Sequence, residues 1–557
     1  MSIFDSIIVP NFKRSTFELQ HDVKLTTDFG KLTPFMCEEV VPGDTWYNKS
    51  DVLVRFSPLI APVMHHMYVT THFFYVPLRL VWDDYETFES GGRDGKTEPI
   101  FPKLPMLGVK SSAGFVDAKN LWSPGSLADY LNYPTSDSNI TGPGMMVSAL
   151  PFRCYQLIYN DYYRDENLEL DLDIDFSSGE LDKDSPEYEK LLTLRYRAWA
   201  KDYLTSALPW PQKGDQQTVP LSTQGSLVSG DISFSPSGKT RVVTSDGSTN
   251  GVLHQHAKDF SSSVSTPQIP GAGDGQMQDL EALIDNSDQL KVKNGNVLIN
   301  GTSFTINDLR RAYSTQRYLE AKARGGSGRL KEWLLSIFGV DNDDLRLQRP
   351  EFLGGSSNTV QVSDILQTSQ TTAESPQGQY AGLGYSYGDS QGFKRTFKER
   401  GYIIGIMSVM PAPAYTEGLP RSYRKFHPTD FYLPQFANLG EQEIFDYEVS
   451  LRPFPANSGH DKLTTFGYAP RYSEYKYIPS RVHGDFKNMN SYGFWTLNRY
   501  YEQAPLLSNE FIKVNPQAND LNRIFAVEDD SSPKLLVQVS NHTKARRLMP
   551  YNPNPSL

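Results

Sequence analysis

The run from Met67 to Val76, MYVTTHFFYV, alternates strictly, and it limits the possible folds more than any other stretch. Met67, Val69, Thr71, Phe73 and Tyr75 point one way, while Tyr68, Thr70, His72, Phe74 and Val76 point the other. A period of two over this length specifies a β-strand, and aromatic and β-branched side chains suit its pleated surface. Both faces carry large apolar groups, so both are expected to be buried, in the wall of a sandwich. Pro58, Pro62 and Pro77 bracket the run as they would at a strand end or sheet corner.

The remaining chain reads as further strands joined by very long connections. At 557 residues several domains would be usual, yet no stretch has the composition of a linker. Instead, 41 Gly and 37 Pro punctuate short apolar runs throughout, as in an all-β core with large loops. Val23–Thr26, Leu32–Val41 and the nearly continuous apolar run Tyr402–Met410 are strand candidates, the last a central strand. Thr464–Tyr468, Phe494–Leu497, Phe511–Val514, Ile524–Val527 and Leu535–Val539 are further candidates. Residues 1–20 read as an N-terminal arm. LELDLDIDF, 168–176, alternates apolar and acidic residues and reads as a strand with one solvated acidic face. Calcium would suit such oxygen-rich clusters, but the EF-hand spacing is missing.

The period changes in four places. Phe152, Tyr155, Gln156, Ile158, Tyr159, Tyr162 and Tyr163 recur at helical spacing after Pro151, and Glu187–Leu204 also reads as helical. Asn307 caps a helix carrying Leu309, Ala312, Tyr313 and Leu319. Leu330, Trp333, Leu334, Ile337 and Phe338 form one face of a shorter helix closed by Gly339. Residues 212–303, rich in Ser, Thr, Gly, Gln and Asp, read as a surface insertion with little core of its own. The core is then 1–211 with 304–557.

Chemical signatures are weak. Gly91–Thr97 is one residue short of a phosphate loop, and Ser233–Thr240 has serine where the first glycine must curl the amides. His65 and His66 face opposite sides of a strand, and His66 and His72 lie about 20 Å apart at ~3.3 Å per residue. No catalytic residue, metal site or cofactor is assigned. Cys37 and Cys154 are too few for a disulfide scaffold. No apolar run is long enough to span a membrane. The net charge of −11 argues against global nucleic-acid binding but permits a local basic patch. Lys394, Arg395, Lys398 and Arg400 form one cluster, and Arg421, Arg424 and Lys425 another; each is interleaved with aromatics or prolines, and salt bridges are the competing use of both. Lys544, Arg546 and Arg547 lie in a C-terminal stretch, 540–557, that has no acid. The abundance of tyrosine, 31 residues, suits either subunit interfaces or an aromatic core.

Several blocks together resemble a known family. They are HDVKLTTDFGKLTPFMCEEVVPGDTW from His21, LVRFSPLIAPVMHHMYVTTHFFYVPLRLVWDDYETFESGG from Leu53, and ALPFRCYQLIYNDYYRDENL from Ala149. DYLTSALPWPQKG, EAKARGGSGRLKEWLLSIFGV, LQRPEFLGGS and TSQTTAESPQGQYAGLG follow in order. Together they resemble the major capsid protein of the Microviridae, small single-stranded DNA phages, and of the gokushovirus branch in particular. The resemblance implies a single eight-stranded antiparallel jelly roll with long loop insertions containing short helices. It also implies sixty copies in a T=1 icosahedral capsid around a circular single-stranded DNA genome, with assembly in the bacterial cytoplasm. A small basic DNA-packaging protein and a host surface receptor are the other implied partners. No shared motif is visible in 212–303, where the gokushovirus branch carries a threefold protrusion. If the chain encloses DNA, Lys544, Arg546, Arg547, Lys13 and Arg14 are expected to face it. A carbohydrate-binding or glycan-cleaving β-sandwich is the alternative; it needs acidic pairs at strand ends, and none can be placed. A surface adhesin would need extended β repeats, which are not found.

Overall fold

The computed structural model describes residues 14–92, 96–107, 119–135, 145–212, 240–243, 249–253, 284–285, 289–290, 306–324, 348–366, 380–456, 458–527 and 532–551. The chain divides into two compact units, 1–213 with 320–557, and 214–319.

The first unit is mainly β and holds two large antiparallel sheets. In the first, strand Leu535–Arg547 lies between Thr45–Phe56 on one side and the pair Ser15–Glu18 and His21–Thr27 on the other. Tyr380–Asp389 and Phe393–Thr396 add to the far edge of Thr45–Phe56, and Gln361–Leu366 pairs with Tyr380–Asp389. The second sheet runs Thr33–Val40, Gly401–Pro411, Met67–Pro77, Glu351–Thr359 in space. Its two central strands pair without a break from Gly401 opposite Pro77 to Pro411 opposite Met67. The central strands expected from sequence are therefore present. Part of the expected N-terminal arm, Ser15–Glu18, is a strand in the sheet.

Both faces of strand Met67–Pro77 are used. Met67, Val69, Phe73 and Tyr75 meet Trp46, Val52, Val54, Phe56, Val537 and Val539 of the first sheet in the main core. On the other face, Phe74 and Val76 join a second core with Trp82, Trp122, Phe152, Tyr155 and Tyr159. The aromatic stripe forms as expected. Leu150–Ile158 is α-helical and continues through a π turn, Tyr159–Tyr163. Tyr155 donates to the carbonyl of Leu32 at 2.9 Å, so even this buried hydroxyl has a partner.

The chain turns between His21–Thr27 and Thr33–Val40 at Gly30, whose φ is +76°. A Cβ there would lie 2.2 Å from the carbonyl oxygen of Val514, so only glycine fits.

Five expectations fail. LELDLDIDF forms no strand. Ile174 is buried and Asp171, Asp173 and Asp175 are exposed, but no neighbouring strand pairs with it, so the alternation marks an irregular segment lying along the core. The helix expected over 187–204 is only Pro186–Leu192; beyond it, Tyr196 and Ala198 bridge to Lys31 and Lys513 instead. Phe511 begins no strand, because Ser508 caps a helical turn, Asn509–Ile512, through the amide of Phe511 at 3.3 Å. Phe494 and Ile524 likewise sit in 3-10 turns. These short apolar runs instead pack into the main core and into a third core that includes Phe511, Phe466 and Tyr415.

The second unit contains the hairpin Thr240–Val243 with Thr249–Leu253, the short pair Ile284–Asp285 with Gln289–Leu290, and most of helix Ile306–Arg324. That helix occurs where expected, with Leu309 and Tyr313 exposed. The helix expected over 330–338 lies outside the described residues.

Candidate nucleic-acid interface

Strand Leu535–Arg547 carries the three C-terminal basic residues, and its alternation separates them. Leu535, Val537, Val539, Asn541, Thr543 and Ala545 face inward and are buried. Leu536, His542, Lys544 and Arg546 face outward. The inward row becomes polar toward Asn541 and Thr543, where the polar groups satisfy one another. Ser50 Oγ donates to Asn541 Oδ1 at 2.6 Å, and Thr543 Oγ1 donates to Asn48 Oδ1 at 2.5 Å.

Lys544 Nζ lies 3.0 Å from Glu18 Oε1, and both side chains are largely exposed. Such a pair is worth under about 1 kcal/mol and leaves the lysine available. Arg546 is exposed and meets no carboxylate among the described residues. Arg547 points inward. Its Nε is 3.1 Å from Asp44 Oδ2, its guanidinium lies 5.3 Å from the Trp46 ring centre, and Nη2 donates to the Glu39 carbonyl at 3.2 Å. The acid-free stretch of sequence thus meets acids, Glu18 and Asp44, from some 500 residues earlier in the chain. Arg14 is exposed just before the first strand, and Lys13 lies outside the described residues.

The other basic clusters are largely neutralised. Arg395 pairs with Glu351 at 2.7 Å and Arg400 with Glu89 at 3.1 Å. Arg421 lies 3.5 Å from Glu448 and Lys425 3.3 Å from Glu474, while Arg424 sits 4.8 Å from the Tyr447 ring centre. Lys394 and Lys398 are exposed without a carboxylate partner among the described residues.

A sequence reading that follows basic clusters passes over Tyr47. This residue is half exposed and sits directly opposite both Lys544 and Lys394. Its signal was the alternation TWYNKSDVLVRF over 45–56, which puts Tyr47, Lys49, Leu53 and Arg55 on one face.

His65, His66 and His72 form no cluster. His72 Nδ1 lies 2.7 Å from the Tyr163 hydroxyl, and His65 Nε2 lies 2.7 Å from the Ala412 carbonyl. Burial pushes both pKa values down to about 4. Among the described residues, no group of three His, Cys, Asp or Glu could hold a metal ion. Burial raises the pKa of Glu448, a shift often found at catalytic acids. Here Glu448 is held by the Tyr203 hydroxyl at 2.7 Å, the Phe445 amide at 3.1 Å and Arg421. The carboxylate is thus committed to packing.

The family model for the capsid protein (F protein) matches residues 6–557. The chain is 32% identical to capsid protein VP1 of Bdellovibrio phage phiMH2K over 551 residues, covering 97% of this chain and 94% of that protein. Capsid protein VP1 of Chlamydia phage 1 is 30% identical over 619 residues, covering 100% and 97% of the two chains. Capsid protein VP1 of Spiroplasma virus 4 is 29% identical over 568 residues, covering 98% and 95%. With a sandwich core, oversized connections and matches spanning nearly every residue, the chain belongs to the phage capsid protein (F protein) family.

Proposed function

We propose that this capsid protein is a jelly-roll subunit, sixty copies of which close a T=1 shell around a circular single-stranded DNA genome. The observation that carries this reading is the spatial order of the strands. When Ser15–Glu18 is joined with His21–Thr27, and Tyr380–Asp389 with Phe393–Thr396, the two large sheets hold eight strands in chain order, and Gln361–Leu366 is an addition at one edge. The first sheet then takes strands 1, 8, 3 and 6, and the second takes 2, 7, 4 and 5. That interleaving is what two nested Greek keys produce. A packed double sheet gives a rigid wedge, and its long loops are free to bury surface between copies.

Lys544 and Arg546, with Arg14 and Lys13 of the arm, face the genome. Arg547 anchors the strand that presents them. A small basic packaging protein neutralises most of the phosphate, which suits a subunit of net charge −11. Assembly takes place in the host cytoplasm. The insertion 212–303 forms an outer protrusion at the threefold axis and meets the host receptor.

Electron microscopy of the expressed full-length chain tests the reading. Uniform closed particles of sixty subunits are expected. A stable monomer with a sugar-binding cleft would replace it with the carbohydrate-binding alternative.

A further inference from the structure

Residues directly opposite each other in an antiparallel sheet share a face, so the strand registers fix what the outward face of the first sheet displays. One row crosses four strands as Glu18, Lys544, Tyr47 and Lys394. The row beside it is Thr16, Arg546, Thr45 and Thr396. In the other direction, Lys49 lies opposite His542, and Asp51 lies between Ser540 and Asp389. Leu53 follows between Gln538 and Tyr387, then Arg55 between Leu536 and Tyr385. Lys24 and Asp22 extend these rows opposite Gln538 and Ser540.

Three tyrosines therefore stand on one sheet face, with Tyr47 50%, Tyr387 66% and Tyr385 36% exposed. Around them are Lys24, Lys49, Arg55, Lys394, Lys544 and Arg546, with His542, against the carboxylates of Glu18, Asp22, Asp51 and Asp389. Some of these charges pair locally. Lys544 lies 3.0 Å from Glu18, Lys49 lies 2.7 Å from Asp389 and 4.0 Å from Asp51, and His542 lies 3.2 Å from Asp51. Lys24, Arg55, Lys394 and Arg546 have no carboxylate partner among the described residues. Lys24, Leu53, Arg55, Leu536 and Gln538 also help line a hollow of about 820 Å³.

We propose that this face is a stacking platform for single-stranded nucleic acid. Bases lie on Tyr47, Tyr385 and Tyr387, and Lys24, Arg55, Lys394 and Arg546 hold phosphates. The inference deepens the genome-enclosing reading and rests on it. Exposed rings interleaved with cations grip unpaired strands without regard to sequence, because every base has a π face. Rows of a sheet are about 6.7 Å apart along a strand, so Tyr385 and Tyr387 are one row apart and Tyr47 stands roughly 20 Å from the row of Tyr387. Several nucleotides span that distance. A duplex would hide its bases from the rings. A second copy of this chain, itself of net charge −11, brings fewer stacking partners than a nucleic acid but could meet the same cations.

The test titrates full-length unassembled protein with a fluorescent 20-nucleotide oligo(dT) and with a duplex of equal length. The single strand is expected to bind more tightly. Tyr47→Ser and Tyr387→Ser are each expected to weaken it about tenfold, with Tyr47→Phe and Tyr387→Phe binding like the parent. Replacing Lys394 and Arg546 together by Gln is expected to reduce the slope of log affinity against log salt by about 1.4. Serine variants that bind oligo(dT) as the parent does, or a duplex bound equally well, overturn the platform. So does a serine variant that loses closed particles while oligo(dT) binding is unchanged, which assigns the face to a second copy. A parent chain that binds oligo(dT) as described but never closes into particles overturns the enclosing reading and leaves the platform standing.

Discussion

Arg547 Nε stands 3.1 Å from Asp44 Oδ2, and Asp44 is fully buried. The pair ties the end of one central strand to the turn that begins its neighbour, and Asp44 also accepts from the Trp46 indole at 3.2 Å. Removing the cation leaves a buried carboxylate short of a partner. Arg547→Met is expected to cost roughly 3 kcal/mol of stability. Arg546→Gln, one residue away on the solvent side, should stay within about 0.5 kcal/mol. Denaturant midpoints of the two variants check the contrast.

Packaging should follow the same division. Replacing Lys544 and Arg546 by Gln is expected to lower the DNA content of purified particles while their number and diameter are preserved. Nuclease-protected DNA per particle is the measurement. Unchanged content would remove these two side chains from the genome contact.

Arg499 is buried against four rings, with its guanidinium 4.1 Å from the Phe511 ring centre and 5.1 Å from that of Trp199. Asp202 reaches this charge through the hydroxyl of Tyr415, which donates to Asp202 at 2.7 Å. A planar, weakly hydrated cation fits such a box and an ammonium does not. Arg499→Lys is therefore expected to cost roughly 3 kcal/mol, seen as a lower melting temperature of the unassembled subunit.

His65 and His72 are held neutral, with pKa values near 4 set first by burial. Arg197 adds to the effect at His72, and Arg523 adds to it at His65, against the Ala412 carbonyl. The unfolded chain takes up these protons near pH 6.5, where the folded chain refuses them. Their contribution to stability is complete above pH 6.5 and falls as pH drops toward 4, by up to about 1.4 kcal/mol per pH unit for each histidine. Urea unfolding between pH 7.5 and 4.5 should show this slope. His72→Gln, which can still meet Tyr163, should make it shallower.

Both cysteines are free, and burial pushes the Cys37 thiol up to about 12 and raises that of Cys154. Thiolate is the reactive form, so neither should be alkylated at pH 8 in the folded chain. Both should react in denaturant, as mass spectrometry would count.

The strands that bury both faces were legible because their sequences repeat every two residues for long enough to exclude a helix. Met67–Pro77 is of this kind, whereas Gly401–Pro411 was legible as a nearly continuous apolar run. The runs at Phe494, Phe511 and Ile524 were not, because a mostly apolar run of four residues fits a strand or a single helical turn equally well. What decided between them was local, such as the Ser508 hydroxyl over the Phe511 amide. At the candidate interface, Lys544 and Arg546 could be read as a basic cluster. The inward turn of Arg547 could not, since the strand read from the sequence ends at Val539 and the partner, Asp44, comes from the far end of the chain. Tyr47 was legible in principle from alternation, but only the sheet register brings Lys544 and Lys394 beside it.

Because Leu535–Arg547 is inserted between His21–Thr27 and Thr45–Phe56, these two strands have no finished sheet to join until a segment some 480 residues further along the chain has been made. A polypeptide that stops short of residue 535 exposes two raw strand edges and the main-core side chains that Leu535, Val537, Val539 and Ala545 would cover. The strand made late therefore decides whether the sandwich forms at all.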